Sequence, residues 1–235
     1  MKTSLRIASY NVRKARGLDQ RRNPERTLQV INDLGADIVL LQEADKRLGP
    51  RKAALPRDMI ERETDFSVVD VAHNDVSLGW HGNAILVADH VEYAGIERLS
   101  LPGLEPRGAV RIDVAIGAGL SMVATHLGLR RKDRRAQLDR INAAVAHKTH
   151  VAIVGDFNEW SDKKGLEPLA SRFAVHAPGK TFHASRPVAA LDRIALSHGV
   201  EMQNAGVAQT GLARQASDHL PIWSDISVPP VTPTC

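Results

Sequence analysis

What most constrains this chain is a set of short apolar runs that stop abruptly at a polar residue. Asp37-Ile38-Val39-Leu40-Leu41-Gln42 and Val151-Ala152-Ile153-Val154 are apolar on both faces, the pattern of central strands covered on two sides. Leu5-Arg6-Ile7-Ala8-Ser9-Tyr10-Asn11-Val12 alternates large apolar residues with small or polar ones, as a half-buried strand does. Further strands are expected at 67–71, 83–87, 109–116, 121–125, 192–196 and 222–226. Asn23-Pro24 offers a helix cap followed by proline at the first helical position. Leu28, Ile31 and Leu34 stripe that helix and Gly35 ends it. A second, basic helix buries Leu138, Ile141 and Val145. Strands outnumber helices and several are adjacent in sequence, so the expected fold is a mixed α/β (α+β) layered domain. It would span 1–228, with 229–235 as a proline-rich extended tail.

Composition removes several classes of protein. With 235 residues, 43% hydrophobic and 25% charged, the chain can bury one sizeable core without a staple. Cys235 is the only cysteine, which excludes a disulfide scaffold. No apolar run approaches the ~20 residues of a membrane helix. The N-terminus enters strand-like alternation without a signal-like apolar block, so a cytoplasmic enzyme is the expectation. Lysine plus arginine number 31 and aspartate plus glutamate 27, a net charge of +4. That excess is compatible with an anionic substrate and does not require one. The basic residues gather at Arg13, Lys14, Arg16, Arg21 and Arg22, and again at Arg130, Arg131, Lys132, Arg134 and Arg135. Either cluster reads as a solvated face or as a phosphate-facing one.

The strand ends carry the chemistry. Run 38–41 meets Gln42-Glu43, run 151–154 meets Gly155-Asp156-Phe157-Asn158, run 121–125 meets His126, and the first strand meets Asn11. Carboxylates, amides and imidazoles at buried strand ends stand where α/β folds gather catalytic groups. An Asx-turn at Asp156, or an ion pair of Asp192 with Arg193, are the structural alternatives. Ser217-Asp218-His219 adds an Asp-His pair before the last strand, usable together only if the chain turns there.

In order along the chain, Ser9-Tyr10-Asn11-Val12, Leu41-Gln42-Glu43, His81-Gly82-Asn83, Thr125-His126-Leu127, Gly155-Asp156-Phe157-Asn158-Glu159-Trp160, Leu191-Asp192-Arg193-Ile194 and Ser217-Asp218-His219 resemble the endonuclease/exonuclease/phosphatase (DNase I-like) superfamily, most of all its small bacterial members. The resemblance implies a four-layer sandwich, two packed mixed β-sheets flanked by helices. It implies metal-dependent phosphodiester hydrolysis with Mg2+, or Mn2+ in its place, held by Glu43 with Asn11 and Asp218. Oxygen ligands without a thiolate cluster or an HExxH helix agree with a hard ion rather than zinc.

The resemblance makes Asp156 the group that orients or deprotonates the attacking water, and Asn158 a donor to a phosphate oxygen. Two residues apart on an extended segment, they would share one face. His219 would contact the scissile phosphate, oriented by Asp192, and His126 matches a second phosphate-side histidine. Abasic-site nucleases of the superfamily usually place tyrosine there, which weighs against that activity. Asn83 and Arg107 are further substrate-side candidates, Asn83 as support for the floor and Arg107 as a phosphate clamp. Arg130, with its cluster, would neutralise neighbouring phosphates. Trp160 reads as a stacking or rim residue. Nucleic acid, contacted through its backbone, is the expected substrate. With 4% aromatic residues an extensive base-stacking platform is not expected. A phospholipid headgroup or small phosphoester is the alternative, and a catalytically silent binding protein a remote one. Oligomeric state is not legible.

Overall fold

The computed structural model describes residues 3–161 and 164–231. Cys235 and the end of the proline-rich tail lie outside the described residues. Among the described residues the regular elements are β1 (Ser4–Asn11), α1 (Pro24–Asn32), β2 (Ile38–Gln42), α2 (Arg57–Glu63), β3 (Phe66–Val68), β4 (Ala84–Ala88), β5 (Tyr93–Leu101) and β6 (Arg107–Val114). They continue with β7 (Leu120–His126), α3 (Arg131–Ala144), β8 (Val151–Asp156), β9 (Phe173–His176), β10 (Asp192–Ser197), β11 (Glu201–Val207), α4 (Ala213–Ala216) and β12 (Ile222–Ser227). None of these helices is long and apolar enough to cross a membrane.

The strands form two six-stranded sheets, ordered β11-β12-β1-β2-β4-β3 and β5-β6-β7-β8-β10-β9. Each sheet has one parallel pair, β1–β2 in the first and β7–β8 in the second, with antiparallel neighbours on both sides. Alternation along the strands explains the layering. Ile7, Ile38, Leu40, Ile85, Ile112, Met122, Val154 and Ile194 point between the sheets and form one buried cluster. The opposite faces carry Tyr10, Val39 and Leu41 against Leu28 and Ile31 of α1, and Val123 and Ile153 against Leu138 and Ile141 of α3. The result is the four-layer sandwich of mixed sheets. Fully burying each such side chain stabilises the fold by about 1.5–3 kcal/mol.

Asn23 caps α1 as expected, its side chain accepting from the Arg26 N–H at 2.9 Å, with Pro24 in the first turn. The strands missed by periodicity are β5, β9 and β11, all at sheet edges. β5 and β11 are largely exposed or half-exposed and each has a register shift. An edge strand with solvent on its face and along its free side shows no clean apolar period. The short α2 buries only Ile60, too little to print a helical stripe. At the C-terminal end, Pro229 accepts from the Ala118 N–H at 2.7 Å, which ties the first residue of the expected tail to the sandwich.

Candidate active site

The polar residues at one end of the sandwich continue the apolar alternation of the inner core. In β8, Ala152 and Val154 lead to Asp156; in β7, Met122 and Ala124 lead to His126; in β10, Leu196 and Ile194 lead back to Asp192; in β1, Leu5 and Ile7 lead to Asn11. The register places Asp156 directly between two of these, opposite His126 on β7 and Asp192 on β10. Gly155 is needed for that close approach, because a Cβ there would stand 1.9 Å from the Thr125 carbonyl oxygen.

Asp156 is 1% exposed and nearly fully coordinated by protein. Its Oδ2 accepts from Asn11 Nδ2 at 3.0 Å and lies 3.4 Å from His126 Nε2 and 3.6 Å from His219 Nε2. Its Oδ1 accepts from the Asn158 N–H at 2.9 Å. Burial drives the carboxyl up to about 6 against the opposing pull of His219. Burial would likewise depress the His219 imidazole, but Asp192 and Asp156 overcome it and raise it to about 10. His219 Nδ1 pairs with Asp192 Oδ2 at 2.8 Å, and the same oxygen accepts from Thr181 Oγ1 at 2.5 Å. Buried His126, crowded by Arg107 and His219, is held well below the usual imidazole range. Near neutral pH the row therefore contains an ionised Asp156, an imidazolium at His219 and a neutral His126.

Glu43 breaks the alternation immediately after Gln42. It has left-handed backbone (φ +54°), as do Arg13, Lys14, His81 and Asn158 around the same mouth. Non-glycine residues rarely adopt this conformation, and its concentration at one place marks a functional region. Gly82 lies against the Glu43 backbone and accepts from the Ala44 N–H at 2.9 Å. Glu43 and Asp218 are each about a quarter exposed, and consecutive cations sit on them: Lys14 on Glu43, and Arg13 Nε on Asp218 at 3.3 Å. Among the described residues Asn11 Oδ1 accepts only the Arg13 N–H, at 3.1 Å. Two carboxylates and an amide oxygen, already neutralised by side-chain cations, fit a hard divalent ion as an all-oxygen donor set. Asp156, Asp192 and His219 also bring ligand atoms within 4.8 Å of one another. There, however, Nδ1 of the imidazole already binds Asp192, an arrangement suited to holding a proton.

Several expectations need correction. Asp156 and Asn158 do not share a strand face: β8 ends at Asp156, Asn158 is left-handed, and their bond is an Asx-turn. The Asn158 amide donates to the Leu127 carbonyl at 2.8 Å, with one N–H left over among the described residues. Asn83 is fully buried, its amide donating to the Gly108 carbonyl at 2.9 Å and the Trp80 carbonyl at 3.2 Å. It ties the entrance of β4 to β6 from a position closed to solvent. The Arg130 cluster does not face phosphates as a unit. Arg131 and Arg134 both pair with buried Glu159, and Arg135 lies 3.8 Å from Glu167. Arg130 is exposed just ahead of α3 and makes no ion pair among the described residues. Arg107 lines the cleft, with Glu105 at 2.7 Å. Asp192 bonds His219 and Thr181 rather than Arg193, which reaches the Glu159 carbonyl. Asp218 and His219 do part, Asp218 toward Arg13 and His219 toward Asp156.

Sequence reasoning missed Thr181, which lies outside the regular elements, and the cations Lys46, Arg47 and Arg51, which line the cleft beside Glu43. No periodic signal marks loop residues, although the run Lys46-Arg47 stands three residues after the strand-end carboxylate Glu43.

The fold and this row of groups define a metal-dependent phosphoric ester hydrolase of the DNase I-like class. The sequence matches the Endonuclease/Exonuclease/phosphatase family over residues 8–219, and the chain belongs to that family. A sequence comparison with curated proteins finds no match. Among solved structures, the endonuclease/exonuclease/phosphatase from Bacteroides vulgatus superimposes with a TM-score of 0.77 at 18% identity, covering 97% of this chain and 100% of that one. D. rerio TDP2 complexed with single strand DNA product gives 0.72 at 18% identity, covering 96% and 99%. The human Nocturnin catalytic domain with bound sulfate gives 0.71 at 20% identity, covering 97% and 95%. At these identities the likeness is one of fold.

Proposed function

We propose that this chain is a Mg2+-dependent phosphodiesterase, with Mn2+ as a substitute, that hydrolyses the nucleic-acid backbone, DNA foremost, with little sequence specificity. The observation that carries this reading is the row Asp192–Asp156–His126 with His219 across it. It sets an ionised carboxylate, an imidazolium and a neutral imidazole around one point at the mouth of the sandwich. Asp156 orients the attacking water and accepts its proton. His219, charged and fixed by Asp192, donates from Nε2 to the phosphate. His126 Nε2 and the remaining N–H of Asn158 are the further donors for the charge that builds on phosphate oxygens. A divalent ion held by Glu43, Asn11 and Asp218 would supply charge neutralisation at the phosphate. Arg107 and Arg130 add positive charge along the backbone path. The similarity to a structure holding a single strand DNA product supports the choice of polymer.

A phospholipid headgroup or small phosphoester is the second reading, and one observation favours it. Exposed Leu48, Leu104 and Leu129 stand on three loops joined through Glu105, which accepts from the Leu129 N–H and lies 3.6 Å from Arg47. The deciding experiment is nicking of supercoiled plasmid by metal-stripped protein with Mg2+ or Mn2+ restored. Activity is expected to vanish in His219→Ala and Asp156→Asn. Steep loss with rising salt marks a polyanion substrate. Hydrolysis of bis-p-nitrophenyl phosphate without nicking would discard the polymer.

A further inference from the structure

The cleft lined by Glu43 and His126 forms a pocket of about 60 Å3, and none of the catalytic steps above draws on its Lys46, Arg51 or His81. Lys14, Lys46, Arg47, Arg51 and Arg107 supply its cationic lining, and His81, held below the usual imidazole range by burial and by Arg51, lies among them. The acids present are already engaged. Glu105 neutralises Arg107 and lies near Arg47, and Glu43 carries Lys14. Asp45 is buried and accepts from the Leu78 N–H at 2.6 Å and the Gly79 N–H at 3.2 Å. Lys46 and Arg51 make no ion pair among the described residues, so the pocket keeps about two positive charges uncompensated by protein.

Its walls are fixed rather than loose. The Lys46 N–H donates to the Lys52 carbonyl at 2.9 Å, Asp45 and Ala53 form a bridge, and the Ala54 N–H donates to the Ala44 carbonyl at 2.8 Å. Arg51 and His81 both hold left-handed backbone, φ +54° and +51°, a cost that persists only where the surroundings impose it. His126 joins the pocket to the reacting row, lining it while its Nε2 lies 3.4 Å from Asp156. Two uncompensated cations in a fixed concavity match a phosphate monoester, which carries about −1.5 to −2 at neutral pH, better than an internal diester with a single charge.

We propose that this pocket is a subsite for a terminal phosphate monoester, so that the enzyme acts preferentially on the phosphodiester next to a phosphorylated end. The inference rests on the nucleic-acid phosphodiesterase reading and adds end recognition to it. Lys46 and Arg51 are its direct donors, and Arg47 and Arg107 border it through Glu105.

The test compares short oligodeoxynucleotides carrying a 5′-phosphate, a 3′-phosphate or only hydroxyl ends, with the metal-restored full chain. One phosphorylated end is expected to raise kcat/KM about tenfold or more over the hydroxyl-ended strand, the scale of a charge-assisted bond. Arg51→Gln and Lys46→Gln are each expected to bring that ratio below about threefold, because one donor of the pair is lost. The two variants stand in for each other if either fails to fold by circular dichroism. Equal kcat/KM on all ends, or a preference that survives both substitutions, overturns the subsite while leaving the phosphodiesterase reading intact. No cleavage of any oligonucleotide, with bis-p-nitrophenyl phosphate still hydrolysed, overturns the nucleic-acid reading and the subsite with it.

Discussion

In the first sheet β1 and β2 run parallel with α1 between them; in the second, β7 and β8 run parallel with α3 between them, and the flanking order is the same. Equivalent positions then carry different chemistry. Asn11 ends β1 as His126 ends β7, Asn83 precedes β4 as Asp192 begins β10, and Glu43 follows β2 as Asp156 ends β8. Asp156 stays in register with the inner core and is desolvated. Glu43 stands one residue beyond it, turned by a left-handed backbone into partial solvent and onto Lys14. A carboxylate in line with the core is thereby suited to the proton-handling role proposed for it, because burial raises its pKa toward neutrality. A carboxylate one residue out of line meets solvent and a lysine. One architectural plan yields both halves of a hydrolytic site.

The largest expected effect breaks the second half. Asp156→Asn keeps the shape and removes the charge that faces both histidines, so kcat is expected to fall by about three orders of magnitude. His219→Ala should do the same, and the double variant should lose little more than either alone, since the groups act as a unit. Steady-state rates on bis-p-nitrophenyl phosphate measure this, and additive losses would separate what the register joins.

Next comes the clamp behind Asp156. Glu159 is 1% exposed and bonds Arg131 through both oxygens at 3.1 Å and Arg134 at 2.6 Å. Burial would raise its carboxyl, but the two guanidiniums hold it down, at about 2. Removing one partner of a buried pair costs about 3–5 kcal/mol, and Glu159→Gln is expected to destabilise the fold on that scale in denaturant titrations. The sign with pH follows from the depressed carboxyl. Its contribution is complete above its unfolded value of 4.5 and is lost as pH falls toward about 2. The wild type should therefore lose this stability across that window, and Glu159→Gln should be flatter there.

The first half is tested by Glu43→Gln. Here the magnesium concentration for half-maximal rate is expected to rise by about 100-fold, the upper end for disturbing a metal site. The smaller effect at saturating metal would distinguish it from Asp156→Asn.

How much of this was legible in the sequence follows from the same geometry. Asn11, Glu43, His126, Asp156 and Asp192 end or begin strands whose apolar period is strong, so both the strands and their polar endings could be read. The inner-face rule even explains Asp156, His126 and Asp192 as one row, once register is known. Register is not written in any single strand, and neither is the left-handed turn at Glu43. Asn158 misled for that reason: a two-residue spacing implied a shared face, yet the chain turns at Asp156. The Arg130 cluster misled because charge counts do not reveal that buried Glu159, 25 to 28 residues away, binds two of its members. The edge strands β5, β9 and β11 and the cations of the 46–51 loop left no period to find.

The smallest predicted effect concerns Thr181, which lies outside the regular elements. Asp192 Oδ2 receives both Thr181 Oγ1 and His219 Nδ1, while Asp192 Oδ1 has no bonded partner. The hydroxyl therefore fixes which oxygen faces the imidazole, and with it the direction of Nε2 toward Asp156. Thr181→Val preserves volume and removes the donor. Losing one hydrogen bond to a charged group corresponds to roughly tenfold, and it should appear in kcat with KM little changed, because Thr181 is fully buried. Thr181→Ser restores a hydroxyl at the same place and is expected to recover most of the rate. If Ser fails as badly as Val while both fold normally, the methyl group rather than the bond matters, and the second sheet holds His219 by packing alone.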